Sequence, residues 1–242
     1  MSTVDIDTNP RTAVVTGAAS GIGAAVATEL VAAGWDVHGW DVADGVVERA
    51  RHHVVDVADA AAVRAAAAEH DRLDLLVNCA GIGGSGRADE LTPQQWDRVI
   101  GIDLSGTFYC CNALYGALAG RRGSVVNIAS IVAHRAGPGR AAYCTAKAGV
   151  VMLTEVLATD WGPDGIRVNA VSPGYTRTPM VTRAIAGGRL DEQAIRDRVP
   201  LDRLADPAEL ARLVRALTGP DFAYMTGATV LFDGGWTANG AY

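Results

Sequence analysis

Residues 16–23 of the chain read TGAASGIG, and they follow directly on the apolar run RTAVVT at residues 11–16. The apolar run is typical of a buried strand, and residues 22–33 have the pattern of a helix that Gly34 ends. A strand, a Gly-rich turn and a helix together form a cradle for phosphate groups, because glycine lets the backbone approach closely and the helix N-terminus presents free amides. The spacing is Gly-x-x-x-Gly-x-Gly rather than the commoner Gly-x-Gly-x-x-Gly, so a plain tight turn is the alternative interpretation.

Outward from this turn, short apolar runs alternate with longer amphipathic stretches. We predict further strands at residues 36–40, 53–55, 73–77, 124–128, 166–171 and 229–232, and helices at 59–70, from 92 to about 119, and at 141–161, with 177–218 mostly helical. Such alternation favours a parallel sheet that helices cover on both faces. No linker divides the chain. The predicted fold is therefore a single-domain, Rossmann-like, doubly wound α/β sheet of about seven strands over residues 11–242, after a flexible tail at 1–10.

Bulk composition limits the classes of function. The 242 residues are 49% hydrophobic and 20% charged, which is ordinary for a globular domain. A formal net charge of -6 argues against nucleic acid as a partner. Because the first residues are polar and no run of about 18 apolar residues occurs, we expect neither a signal peptide nor a membrane span. The 4 cysteines are scattered, which favours free thiols and a cytoplasmic location.

Acidic and polar residues at the ends of the predicted strands indicate which nucleotide the cradle would bind. Asp41 ends the second strand at about the offset, ~20 residues, at which a carboxylate accepts hydrogen bonds from an adenosine ribose. A carboxylate repels a 2′-phosphate, and no arginine follows at Val42 or Ala43, so the sequence favours NAD over NADP. A loop or capping role is the alternative for Asp41. Further candidates at strand ends are Asp56 and Val57, for the adenine edge, and Asn78, Ala80 and Gly81.

A second group of residues indicates acid–base chemistry. Tyr143 and Lys147 lie one helical turn apart, so their side chains share a face. Tyrosine normally loses its proton near pH ~10, and an adjacent ammonium stabilises the phenolate. Lys and Arg together number 21 and Lys147 is the only lysine, which suggests a position where arginine cannot substitute. Ser130, at the end of the fifth strand, could hydrogen-bond the same substrate oxygen.

Taken jointly, these motifs resemble the short-chain dehydrogenase/reductase family in its common single-domain form. The resemblance covers residues 12 to about 235. Its motifs are residues 16–23, Asp41, Asp56, residues 78–81, Ser130, Tyr143 with Lys147, Pro173-Gly174 and residues 233–235.

The resemblance implies a hydride transfer between the nicotinamide of NAD and the carbinol carbon of a secondary alcohol or its ketone, with no metal. In it, Tyr143 is the general acid/base, Lys147 favours the ionised tyrosine and holds the nicotinamide ribose, and Ser130 binds the substrate oxygen. The resemblance also implies a dimer or tetramer that packs on the helices beginning near residues 95 and 141. The implied cofactor contacts are Gly17, Ser20, Gly21, Ile22, Gly23, Asp41, Asp56, Val57, Asn78, Ala80, Gly81, Tyr143, Lys147, Pro173, Gly174, Thr176 and Thr178.

Substrate recognition is expected in a lid at about residues 176–198 and in the loop before Tyr143. The candidate substrate contacts are Ser130, His134, Tyr143, Tyr175 and Met180. Arg177 or Arg183 could meet an acidic group of the substrate.

Two features depart from the family pattern. Asp103 stands where the family usually has a catalytic asparagine, and a carboxylate close to Lys147 could bind its ammonium and weaken its effect on Tyr143, which puts the proton relay in question. The family's asparagine holds a relay water through its backbone carbonyl, which Asp103 retains. The helix between strands two and three is missing or reduced to a turn, as in dihydrodiol dehydrogenases of the 2,3-dihydro-2,3-dihydroxybenzoate type. The alternatives to a general alcohol dehydrogenase are such an enzyme, a 3-oxoacyl reductase, which Asp41 disfavours, and a non-enzymatic NAD-binding regulator, which only Asp103 supports.

Overall fold

The computed structural model describes residues 10–45 and 47–239, so the predicted tail at 1–10 lies outside the described residues except for Pro10. One sheet contains seven strands, and every pairing in it is parallel. The strands follow the order β3-β2-β1-β4-β5-β6-β7. Their bounds are β1 Thr12–Thr16, β2 Asp36–Asp41, β3 Arg51–Val54, β4 Leu75–Asn78, β5 Ser124–Ile128, β6 Arg167–Pro173 and β7 Thr229–Phe232.

Helices cover both faces of this sheet. The α-helices of the described residues are α1 Gly21–Ala32, α2 Ala60–Ala67, α3 Pro93–Ile100, α4 Gly106–Ala119, α5 Ala141–Trp161, α6 Pro179–Ala186, α7 Glu192–Arg198 and α8 Pro207–Leu217. Side chains alternate across a strand, so Ala13 and Val15 pack on the α1 and α8 side while Val14 packs on the side of α2 and α4. The predicted doubly wound sheet is thereby confirmed.

The element bounds differ from prediction in a few places. β3 begins at Arg51 rather than residue 53, and no helix lies between β2 and β3 in the described residues 42–45 and 47–50. The long helical region before residue 119 is interrupted by a π-helical turn, Gly101–Ser105. Apolar periodicity gives no signal for one extra residue in a turn, because the flanking helices keep their own spacing. π-helical turns of this kind are frequent at functional sites.

Helix α5 is unusually apolar. Together with the short turn after it, Ala141–Asp164 has a mean hydropathy of 1.3, enough by length and composition alone to cross a membrane. Its residues Ala142, Ala146 and Val150 are buried, and the helix packs against β6 and α3. A core helix of a globular domain passes the same test, and α5 occupies that place here.

Candidate active site

A large pocket lies where the strand order reverses. The chain leaves β1 toward β2 on one side of the sheet and leaves β4 toward β5 on the other, which opens a crevice at the carboxyl ends of the strands. The Thr16 hydroxyl accepts hydrogen bonds of 3.0 Å from the amides of Cys79 and Ala80, which ties the end of β1 to the loop after β4. The two strand ends therefore form one rigid floor for the pocket.

The Gly-rich turn forms one wall of this pocket. Gly17 has a φ of +68°, and a Cβ there would lie 2.9 Å from the backbone of Ala80, so only glycine fits. Ser20 immediately precedes α1, and its side chain makes no hydrogen bond to the first helical amides. Those amides point into the pocket with the positive end of the helix dipole, an arrangement that suits a pyrophosphate.

Two carboxylates lie at the adjacent end of the pocket. Asp41 accepts hydrogen bonds from the amides of Ala19, at 3.0 Å, and Ala43, at 3.1 Å. Asp56 accepts one from the amide of Ala58 at 2.9 Å. Local backbone amides thus fix both carboxylates without neutralising them, which leaves acceptor oxygens for ribose or adenine groups.

The other end of the pocket holds the acid–base residues. Helix α5 presents Tyr143 and Lys147 there, with the lysine Nζ 5.8 Å from the centre of the tyrosine ring. Lys147 is only 5% exposed and donates a 3.0 Å hydrogen bond to the carbonyl of Ile128 at the end of β5. Ser130 begins the short turn Ile131–Ala133, where its hydroxyl accepts weakly from Val132 at 3.4 Å. A hydroxyl, a phenol and an ammonium therefore line one cavity.

Asp103 is fully buried beside this group. Its Oδ1 accepts a 2.8 Å hydrogen bond from the amide of Ile82, and its Oδ2 lies 3.3 Å from Lys147 Nζ. Burial raises the pKa of Asp103, against the opposing effects of Lys147 and the Ile82 amide. Burial alone would lower the pKa of Lys147, but Asp103 and Tyr143 outweigh it, so the pKa of Lys147 is raised and the lysine stays charged. The Asp103 carbonyl accepts a 3.1 Å hydrogen bond from the Thr107 hydroxyl.

Gly81 explains how this ion pair is accommodated. A Cβ at Gly81 would lie 3.0 Å from Asp103 Oδ2 and 3.4 Å from Lys147 Nζ. Any other residue would press on both charged groups, so the loop after β4 approaches them through glycine.

Most of the predicted site residues come together in this one pocket. They are Gly17, Ser20, Gly21, Ile22, Gly23, Asp41, Asp56, Val57, Ala80, Gly81, Asp103, Ser130, Tyr143, Lys147, Pro173, Gly174, Thr176, Thr178 and Met180. Their individual roles stay predictions.

Three predicted contacts do not line the pocket. The Asn78 side chain points into the core, where its amide donates to Asn127 Oδ1 at 2.8 Å. The His134 ring lies 2.9 Å from the hydroxyl of the buried Ser172. Tyr175 packs on the small apolar cluster around Ile195 and Val199. In each case a contact with another part of the chain holds the side chain.

The pocket also contains residues that sequence reasoning did not assign to it. These residues are Trp40, Val42, Val55, Cys79, Ile82, Ile102, Ile128, Ala129, Pro179 and Val181. Most are apolar residues that flank the predicted motifs. Their position at the ends of predicted strands is the sequence feature that could have identified them. Burial raises the pKa of Cys79 to about 12, so this thiol stays neutral. Of the two lid arginines considered, Arg177 pairs with Glu192 at 2.7 Å, whereas Arg183 lines the pocket.

Comparison with known proteins shows the family to which the chain belongs. The family model described as enoyl-(acyl carrier protein) reductase matches residues 17–237. D-threitol dehydrogenase of Mycolicibacterium smegmatis is 40% identical over 96% of this chain and 95% of that protein. 2-(R)-hydroxypropyl-CoM dehydrogenase of Xanthobacter autotrophicus is 40% identical over 94% of this chain and 99% of that protein. The crystal structure of actinorhodin polyketide ketoreductase with NADPH superposes with a TM-score of 0.88 at 30% identity, over 94% of this chain and 97% of that one.

The parallel sheet, the phosphate cradle and the Ser–Tyr–Lys group together define an oxidoreductase that uses a nicotinamide cofactor. The chain belongs to the short-chain dehydrogenase/reductase family, as an enzyme acting on CH–OH groups of alcohols or on the corresponding ketones. The non-enzymatic regulator considered from the sequence is therefore disfavoured.

Proposed function

We propose that this enzyme is an NAD(H)-dependent dehydrogenase or reductase of secondary alcohols and ketones. The observation that carries the choice of cofactor is the Asp41 carboxylate at the end of β2, held by the amides of Ala19 and Ala43 beside the Gly-rich turn. A carboxylate there suits the hydroxyls of an unsubstituted ribose and repels a 2′-phosphate. In the described pocket lining, the one arginine is Arg183, which belongs to the lid. Because the NADPH-bound neighbour is a more distant relative, its cofactor does not decide the matter.

The residues present fit a dinucleotide. The close approach of Gly17 to Ala80 and the uncapped start of α1 suit the pyrophosphate, while Asp41 and Asp56 suit the adenosine half. The lining around Pro173, Gly174 and Thr178 suits the nicotinamide half. When bound, the cofactor supplies or accepts the hydride.

The chain's own residues would move the proton. In oxidation, the Tyr143 phenolate takes the proton from the alcohol oxygen, and in reduction the Tyr143 phenol returns one to the carbonyl oxygen. Lys147 supplies the positive charge that favours the phenolate, and Ser130 donates a hydrogen bond to the same substrate oxygen. Ile128 positions Lys147 by accepting its hydrogen bond.

The substrate is proposed only as a class, a small molecule with a secondary alcohol or ketone. The apolar residues Ile82, Met180 and Val181 line the same pocket as the acid–base residues, together with Arg183 from the lid. The dihydrodiol dehydrogenases remain an alternative that shares the short connection between β2 and β3. A 3-oxoacyl reductase remains less favoured because of Asp41.

Cofactor preference is the direct test of this proposal. Purified enzyme would be assayed with a panel of polyols, hydroxy acids, dihydrodiols and their ketones, using NAD(H) and NADP(H) in parallel. We expect kcat/KM to favour the NAD form by about tenfold or more. A preference for NADP(H) would contradict the assignment of Asp41.

We further propose that the enzyme is a homo-oligomer. Phe108 on α4 and Met152 and Val156 on α5 are between 45% and 58% exposed, although they are large and apolar. The two helices meet near their C-terminal ends, where the rings of Tyr115 on α4 and Trp161 on α5 are 5.2 Å apart. This surface, which we call the α4/α5 face, would be covered by a second copy, in a dimer or tetramer.

A further inference from the structure

The ion pair between Asp103 and Lys147 is a feature that the proposed mechanism does not use. The Asp103 side chain is 0% exposed and that of Lys147 6%, and their charged atoms are 3.3 Å apart. Because both side chains are buried, water screens their charges only weakly. Each charge therefore strongly changes the electrostatic potential around the other. The Lys147 ammonium is the charge that the mechanism needs at Tyr143.

The carboxylate is held independently of the lysine. Asp103 Oδ1 is fixed by the Ile82 amide at 2.8 Å, while Oδ2 faces Lys147 without a well-aligned hydrogen bond. The π-helical turn Gly101–Ser105 and the adjacent loop thus place a negative charge against the ammonium. An asparagine could keep the contact with Ile82 but would carry no charge. The charge, rather than the shape, distinguishes this site.

The other titratable groups facing the pair are few. From the loop after β4 comes Cys79, whose pKa burial raises to about 12, so it is neutral. Helix α5 contributes Tyr143, whose phenolate adds a second negative charge when it forms. With Asp103 ionised, the group of Tyr143, Lys147 and Asp103 changes from net zero to net negative as the phenolate forms. With a neutral amide it would change from net positive to zero, which a buried site tolerates more easily.

We propose that Asp103 is a positioning residue that sets the pH range of the reaction by partly neutralising Lys147. This inference rests on the proposed role of Tyr143 as the general acid/base. In alcohol oxidation, which needs the phenolate, the acid limb of the rate profile lies at higher pH with Asp103 than with an amide. In ketone reduction, which needs the phenol, the carboxylate extends activity to higher pH.

The test compares the wild type with Asp103→Asn. In the pH profile of kcat/KM for alcohol oxidation, the acid limb of Asp103→Asn should lie about one pH unit lower than that of the wild type. On the alkaline side, kcat should change by less than about threefold. Glu155→Gln removes an exposed carboxylate from the same helix as Lys147 and should leave the profile unchanged. An unmoved acid limb in Asp103→Asn, or a collapse of activity at every pH in the folded variant, would overturn the proposal.

A second readout does not depend on turnover. Tyrosinate absorbance would be titrated in the cofactor-free protein, with the signal of Tyr143 identified as the part lost in Tyr143→Phe. In Asp103→Asn this signal should appear about one pH unit lower, and an unshifted signal would contradict the inference. If Asp103→Asn does not fold, Asp103→Ser replaces it as an uncharged residue with an acceptor oxygen. Failure of the proposed function would appear instead as no turnover in the wild type, whatever the titration shows.

Discussion

At the scale of single residues, Asp41 connects the fold to the choice of cofactor. It ends β2 next to the phosphate cradle, and its oxygens are fixed by the amides of Ala19 and Ala43. The Asp41→Ala variant should lose the repulsion of a 2′-phosphate, so the ratio of kcat/KM for NAD over NADP should fall by about tenfold. Asp44→Ala, at an exposed position in the same loop, is the control and should keep the wild-type ratio. An unchanged ratio in Asp41→Ala would count against the ribose assignment.

How far single residues could be predicted depended on what fixes their side chains. Tyr143 and Lys147 were predictable as neighbours because helix geometry alone puts them on one face. Asn78 and His134 were predicted near the pocket because of their place in the chain, but their side chains turn to Asn127 and Ser172. Hydrogen bonds between distant segments decide such orientations, and no local pattern encodes them. The contact between Asp103 and Lys147 was foreseen as a possibility, and its burial was not.

At the scale of elements, β2, β3 and the end of α2 meet in a cluster of three histidines. His38 Nδ1 lies 3.0 Å from His53 Nε2, and the His70 ring stands edge-on to His38 with centroids 4.5 Å apart. Burial, followed by the charges of His38 and His53, lowers the pKa of His70 from 6.5 to about 4. His70 is only 8% exposed, so the cluster belongs to the packed edge of the sheet.

This cluster predicts a loss of stability in acid. The folded pKa of His70 lies below the unfolded value, so between pH 6.5 and about 4 the unfolded chain binds more protons and stability falls as the pH falls. From about pH 7 to about pH 5 the expected loss from His70 is about 2 kcal/mol. Urea unfolding of His70→Gln should show a pH dependence weaker by that amount. Equal slopes in the variant and the wild type would contradict the assignment.

The strands and helices themselves were largely predictable, because the period of apolar residues and the capping residues are local signals. Thr92 with Pro93, for example, indicated the start of α3, and a capping box between Thr92 and Gln95 forms there. The π-helical turn at Gly101–Ser105 was not predictable, since the helices on either side of it keep their own apolar spacing. The ends of the short apolar strands could be predicted only to within about two residues.

At the scale of the whole molecule, the α4/α5 face predicts self-association. Val156→Arg places a charge in that apolar face, and sedimentation velocity should show a smaller species than the wild-type oligomer. Val54→Arg is the matched control, since Val54 is 73% exposed on β3, away from that face. A monomeric wild type, or a Val156→Arg variant of unchanged mass, would contradict the proposed assembly.

The order of the strands explains why one pocket contains both halves of the chemistry. The turn after β1 and the end of β2 supply the cradle and Asp41, while the π-helical turn before α4, the end of β5 and the start of α5 supply Asp103, Ser130, Tyr143 and Lys147. These segments are distant in sequence, and only the reversal of strand order at β1 and β4 brings them together. The alternation of strands and helices was enough to predict a doubly wound parallel sheet, whereas the order of the strands comes from the structure.

The central claim is that Tyr143 transfers the proton in an NAD(H)-dependent oxidation or reduction. Its most direct test is the comparison of the wild type with Tyr143→Phe, using NADH fluorescence for binding and the best substrate of the panel for turnover. We expect kcat to fall by about 10²-fold or more while the Kd for NADH changes little, because the ring remains and only the hydroxyl is removed. Turnover in Tyr143→Phe close to that of the wild type, with NADH still bound, would contradict the claim.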